Sequence, residues 1–67
     1  MSDLEILARD VLEMMSLQER HKKNNITAKY MPKKADPEEL HKSFNEMVDA
    51  QRKVYAMCVD ILGIEEE

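Results

Sequence analysis

The sequence predicts an all-α fold, an antiparallel helical hairpin of two long helices that dimerises into a four-helix bundle. Three observations lead there. Two segments repeat apolar residues at helical spacing, each opened by helix-start chemistry, and a polar, basic stretch separates them. At 67 residues the chain forms one domain at most, and such a chain buries only roughly 60% of its unfolded surface. With one cysteine, Cys58, and no Cys/His spacing for zinc, neither an internal disulfide nor a structural metal supplements the core, which leaves oligomerisation.

The first helix is expected over residues 2–23. Ser2 suits the N-cap and Glu5, three residues on, completes a capping box as the apolar pattern begins. Leu4, Leu7, Val11, Met14 and Gln18 follow at spacings of 3, 4, 3 and 4, and Ala8, Met15 and Leu12 broaden the stripe beyond a narrow two-stranded seam. Arg20, Lys22 and Lys23 favour the negative end of the helix dipole, and Asn24 and Asn25 tolerate the left-handed conformation that closes many helices.

Residues 24–36 read as a connector, with Met31 held extended by Pro32 and with Ile26, Tyr30 and Met31 expected to dock on the bundle end. The second helix is expected over residues 37–62. Asp36 caps it, Pro37 fits the first helical position, and Glu38 and Glu39 place negative charge on the first turn. Leu40, Phe44, Met47, Gln51, Val54, Cys58 and Ile61 then repeat at 4, 3, 4, 3, 4 and 3, a heptad-like seam flanked by Val48, Tyr55 and Leu62. Gly63, the single glycine, stands where the pattern stops, and residues 63–67 form an acidic tail. From the rise per residue, the helices should run about 33 and 39 Å.

Charge is segregated along the chain. Residues 1–19 carry net −4, residues 20–34 carry net +6 with no acid, and residues 35–67 carry net −6. Laid antiparallel, two hairpins place the basic region of one beside the acidic termini of the other, whereas stacking both connectors at one end gathers like charge. Surface pairs contribute only roughly 0–1 kcal/mol each, so apolar burial supplies the affinity and charge selects the orientation. The oligomer interface is accordingly expected at Leu4, Leu7, Val11, Met14, Leu40, Phe44, Met47, Gln51, Val54, Cys58 and Ile61. Gln18 and Gln51 are polar interruptions in the seams, and buried amides of this kind fix register at some cost in stability.

Chemical sites have weaker support. Arg20, Lys22, Lys23, Lys29, Lys33 and Lys34, with Tyr30 as a stacking surface, could grip an anion, a nucleotide or a nucleic acid. Against that stand the chain's net charge of −4 and the lack of a glycine-rich cradle or recognition-helix pattern. His21 and His41 could approach one another with Glu38 or Glu39, but two histidines twenty residues apart are unspecific for metal. Cys58 on an apolar stripe reads as an inert thiol. Glu46 and Asp49 are too few carboxylates for a nucleotide-processing enzyme, and the other acids read as solvated faces.

The expectation is therefore a small, non-enzymatic interaction or regulatory protein without cofactor, metal or catalytic residues, acting as a homodimer on an unknown protein partner. The alternative is anion, nucleotide or nucleic-acid binding through residues 20–34. Charges at Asp3, Glu5 and Arg9 do not suit a signal peptide, no apolar run approaches a membrane span, and a lone thiol fits a cytoplasmic setting.

Overall fold

The computed structural model describes residues 2–63 and shows a helical hairpin with no strand among them. Helix α1 runs Asp3–Tyr30, a single 3-10 turn spans Pro32–Lys34, and helix α2 runs Pro37–Leu62 antiparallel to α1. The caps follow the sequence closely. Ser2 Oγ accepts from the Glu5 N–H at 3.3 Å, and Asp36 accepts from the N–H groups of Glu38 and Glu39 at 3.0 and 3.4 Å, with Pro37 entering where no donor is needed. Gly63 closes α2 at φ +69°, a left-handed conformation that a side-chain-bearing residue enters only with strain, and its N–H returns to the Asp60 carbonyl at 3.3 Å. Beyond Gly63 the expected acidic tail lies outside the described residues.

α1 is seven residues longer than the expected end at residue 23. The Asn24–Asn25 pair does not cap it. Asn24 faces α2 and donates to Ser43 Oγ at 3.0 Å, Thr27 Oγ1 donates back to the Lys23 carbonyl, and Ala28 is half-buried, so the inward face continues through a run that looks polar in sequence. Termination falls to Pro32, which keeps Met31 out of the helical region (φ −135°, ψ 61°), while the Met31 N–H still bonds to the Thr27 carbonyl at 2.8 Å. The true connector is therefore residues 31–36. Ile26, Tyr30 and Met31 do not dock on the bundle end but stand 46%, 69% and 47% exposed.

The inner line of α2 also differs from the expected seam. Its buried residues are Ser43, Ala50 and Val54, with Leu40 and Met47 half-buried beside them. Phe44, Gln51 and Cys58 therefore lie one residue, about 100°, around the helix from the line that faces α1. Small side chains at Ser43 and Ala50 let the helices approach, which larger residues at the same positions would prevent. On α1 the facing line comprises Leu7, Asp10, Met14, Leu17, His21, Asn24 and Ala28, all half-buried.

Ser43, fully buried, is the hub of a polar network at the connector end. Its hydroxyl donates to the Leu40 carbonyl at 3.0 Å and accepts from Asn24 Nδ2; His21 Nδ1 lies 3.0 Å away. With the serine proton committed to Leu40, the His21 Nδ1–H is the donor in that last contact, and Nε2 accepts from Asn25 Nδ2 at 3.1 Å. A second inward polar residue, Asp10, is less well served. One carboxylate oxygen meets Lys53 Nζ at 3.3 Å, and the other is buried without a partner.

Two opposite stability effects follow. Ser43→Ala strands donors on His21 and Asn24 in a closed seam and should destabilise the fold by about 1–2 kcal/mol. Asp10→Leu replaces a half-satisfied carboxylate among Leu7, Met14 and Leu17 and should stabilise by about 1 kcal/mol. Thermal unfolding followed by circular dichroism reads both; a stabilising Ser43→Ala would show that the network does not hold the seam.

Candidate functional site

The register of the seam divides the outer surface of the hairpin into two unlike sides. On one side the polar flanks of the helices meet. Arg20 of α1 reaches across to Glu39 and Glu46 of α2, with Nη1 donating to Glu46 at 2.6 Å and Nε donating to Glu39 at 2.9 Å, alongside a further Nη2 contact to Glu39. The hydrogen bond that Arg20 donates to Glu39 chiefly, opposed by desolvation and reinforced by Glu46, holds the guanidinium still more firmly protonated than usual. Lys53 pairs with Asp10 on this same side. All the ion pairs found among the described residues link α1 to α2 here.

The other side is apolar. On α2, Phe44, Val48, Gln51, Tyr55, Cys58 and Leu62 recur at 4, 3, 4, 3 and 4 and form a stripe about 90° from the seam. On α1, Leu4, Ala8, Val11, Met15 and Gln18 do the same. Because the helices are antiparallel and both stripes are displaced from the seam in the same rotational sense, they open on the same side of the hairpin. Leu4 is 67% exposed, Met15 53%, Phe44 47%, Tyr55 60% and Leu62 69%. The whole chain exposes 5550 Å², whereas a compact monomer of its mass exposes about 4,400 Å².

The expected interface residues thus separate into two groups. Leu7, Met14, Leu40, Met47 and Val54 are engaged within the hairpin; Leu4, Val11, Phe44, Gln51 and Cys58 belong to the outward apolar side, and Ile61 stands 41% exposed near the end of α2. Tyr55, Met15 and Ala8 were legible only as flanks, since the residues facing the other helix and those on the outward apolar side recur at the same 3- and 4-residue spacing. Of the expected anion ligands, Arg20 is occupied by its two glutamates. Lys22, Lys23, Lys29, Lys33 and Lys34 are exposed, and Lys29 Nζ lies 5.4 Å from the ring centre of Tyr30. These cations surround the C-terminal end of α1, whose carbonyls carry the negative end of the helix dipole and work against anion capture there.

No group of three or more potential metal ligands occurs among the described residues. His21 and His41 line one shallow groove with Asn25, Pro37, Leu40 and Phe44, but His21 is held by Ser43 and Asn25 and tilts against Phe44 at 5.5 Å between ring centres. Glu46 and Asp49 share a groove with Glu13, where Arg20 and Lys53 offset the acidic charge. Cys58 is half-buried. No described helix is long and apolar enough to cross a membrane. No protein-family model, curated protein or solved structure matches this chain.

Arg20→Ala leaves Glu39 and Glu46 facing one another without their shared cation. It should reduce thermal stability, with the loss shrinking as salt is raised, and should leave any affinity for polyanions unchanged because Arg20 is not free to bind them. Melting curves at low and high salt, with a nucleic-acid titration of the same variant, separate these roles; a large fall in polyanion affinity would show Arg20 to be a ligand residue.

Proposed function

We propose that this chain is a non-enzymatic interaction protein whose working unit is a homodimer, two hairpins joined through their apolar sides as a four-helix bundle, and that the bundle binds and regulates another macromolecule. The observation that carries the reading is the continuous apolar side of Leu4, Val11, Met15, Phe44, Tyr55 and Leu62 on a chain exposing more surface than its mass requires. Ser43 supports the non-catalytic part. Its contact with His21 has the look of a nucleophile–base pair, but the hydroxyl is fully buried and its proton is directed to a backbone carbonyl. Met15, 53% exposed on that side, adds a flexible side chain able to repack against a partner. The single thiol suits a cytoplasmic setting.

A second reading, binding of an anion, nucleotide or nucleic acid, is favoured by one observation: Lys22, Lys23, Lys29, Lys33 and Lys34 are exposed near Tyr30, and no ion pair among the described residues engages them. In the dimer Lys29 lies towards the acidic first turn of α1 in the second copy instead.

Sedimentation equilibrium at physiological salt tests the first reading, which requires twice the 7.9 kDa chain mass at micromolar concentration. A monomer across that range would refute it. Replacing Lys22, Lys23, Lys33 and Lys34 with Gln should weaken the dimer, as high salt should in the unmodified chain. If the dimer persists while tight, salt-sensitive binding of single-stranded or duplex nucleic acid is lost, the second reading holds.

A further inference from the structure

The outward stripe of α2 is symmetric about the middle of its helix. α2 spans Pro37–Leu62, so its midpoint falls between residues 49 and 50. Phe44 and Tyr55 stand equally far from that point on either side, about 8 Å each, and Val48 and Gln51 about 2 Å each. α1 spans Asp3–Tyr30, with its midpoint between residues 16 and 17, and Met15 and Gln18 are placed symmetrically about it. The two midpoints lie nearly level, as the cross-helix pairs Arg20–Glu46 and Asp10–Lys53 require. Gln18 is displaced from the middle towards the connector, and Gln51 by the same amount towards the chain ends.

Resting on the homodimer reading above, we propose that the second copy docks antiparallel about a two-fold axis through this midpoint, each helix against its own counterpart, with Phe44 against Tyr55 of the partner subunit and Gln18 level with Gln51 of the partner subunit.

Three independent features agree with this alignment. The exposed aromatic residues meet. Phe44 touches one ring inside the hairpin, that of His21, and Tyr55 at 60% exposure has no aromatic contact among the described residues. The polar interruptions coincide too. Gln18 and Gln51 are half-buried, with the apolar Val11 and Met15 before Gln18 and Val48 and Tyr55 beside Gln51 on the same stripes, and neither makes a side-chain hydrogen bond among the described residues. In the antiparallel alignment, Gln18 and Gln51 of the partner subunit share a layer across its diagonal, where each amide can serve the other; a slip of one heptad brings Gln18 level with Phe44 of the partner subunit or with Cys58 of the partner subunit instead. Charge agrees as well. Lys29, on the α1 stripe, comes level with Leu4 of the partner subunit, between the acidic Asp3 and Glu5 of the partner subunit.

The test uses a spin label on the exposed connector, Lys34→Cys in a Cys58→Ser background, with dimer mass checked in the same samples. Antiparallel docking places the labels at opposite ends of the dimer, a separation near the 47 Å length of the hairpin, whereas same-end stacking holds them within roughly 25 Å. In parallel, Phe44→Ala and Tyr55→Ala should each raise the dimer Kd by about tenfold or more, and the double variant should fall short of the product of the two effects because the residues act as one contact. Helicity at high concentration confirms that the variants fold. A dimer with closely spaced labels, or with fully multiplicative Phe44 and Tyr55 effects, overturns this alignment and leaves the homodimer standing. The absence of any dimer overturns both.

Discussion

Two helices laid side by side can cover only one flank of each other, and everything else in this molecule depends on which flank is chosen. α1 and α2 meet along a line that includes Ser43, Ala50 and Asn24, small or polar residues, while Phe44, Tyr55, Leu4 and Met15 remain outside. Close approach and a satisfied hydrogen-bond network select that line. Burying Phe44 between the helices instead would force them apart and leave Ser43 without the donors from α1 that it now has. Phe44 and Tyr55 are thereby left exposed about 90° from the seam, the placement that the proposed four-helix bundle would use.

Polar groups secure this choice from the other flank. Arg20 joins Glu39 and Glu46 in a three-residue cluster, and Lys53 joins Asp10, so the side opposite the apolar stripe is already tied together. Such partly exposed pairs contribute little net stability. Their effect is to fix which way the helices are rotated, since turning α2 to bury Phe44 would carry Glu39 and Glu46 away from Arg20. One cation is removed from the basic region by this cluster, which leaves five exposed lysines towards the connector end, beside the exposed Asp36 and Glu38 that open α2.

Much of the fold could be read from the residues alone. Ser2, Asp36–Pro37 and Gly63 mark helix ends through backbone chemistry that acts locally, and those ends stand where their caps place them. The end of α1 was not legible because Asn24 has two uses, closing a helix or bonding across to another, and only the proximity of Ser43 decides between them. The seam of α2 was hidden for a related reason. Hydrophobic periodicity detects large apolar residues, and the closest helix–helix line here is built from Ser43 and Ala50, which carry almost no such signal. A stripe broad enough for two contacts was visible in both helices; how it divides between the partner helix and the outside depends on side-chain size at positions that pattern reading passes over. The basic region was visible as composition, but the capture of Arg20 by two glutamates 19 and 26 residues away was not.

The central claim is that the hairpin is incomplete until its apolar side is covered by another copy. Thermal unfolding monitored by helicity over a hundredfold range of protein concentration tests it most directly, because association linked to folding makes the midpoint depend on concentration. The account predicts a transition that moves steadily upward as concentration rises, with dimeric mass on its folded side. A cooperative transition at one fixed temperature across the whole range, from a folded monomer, would contradict it.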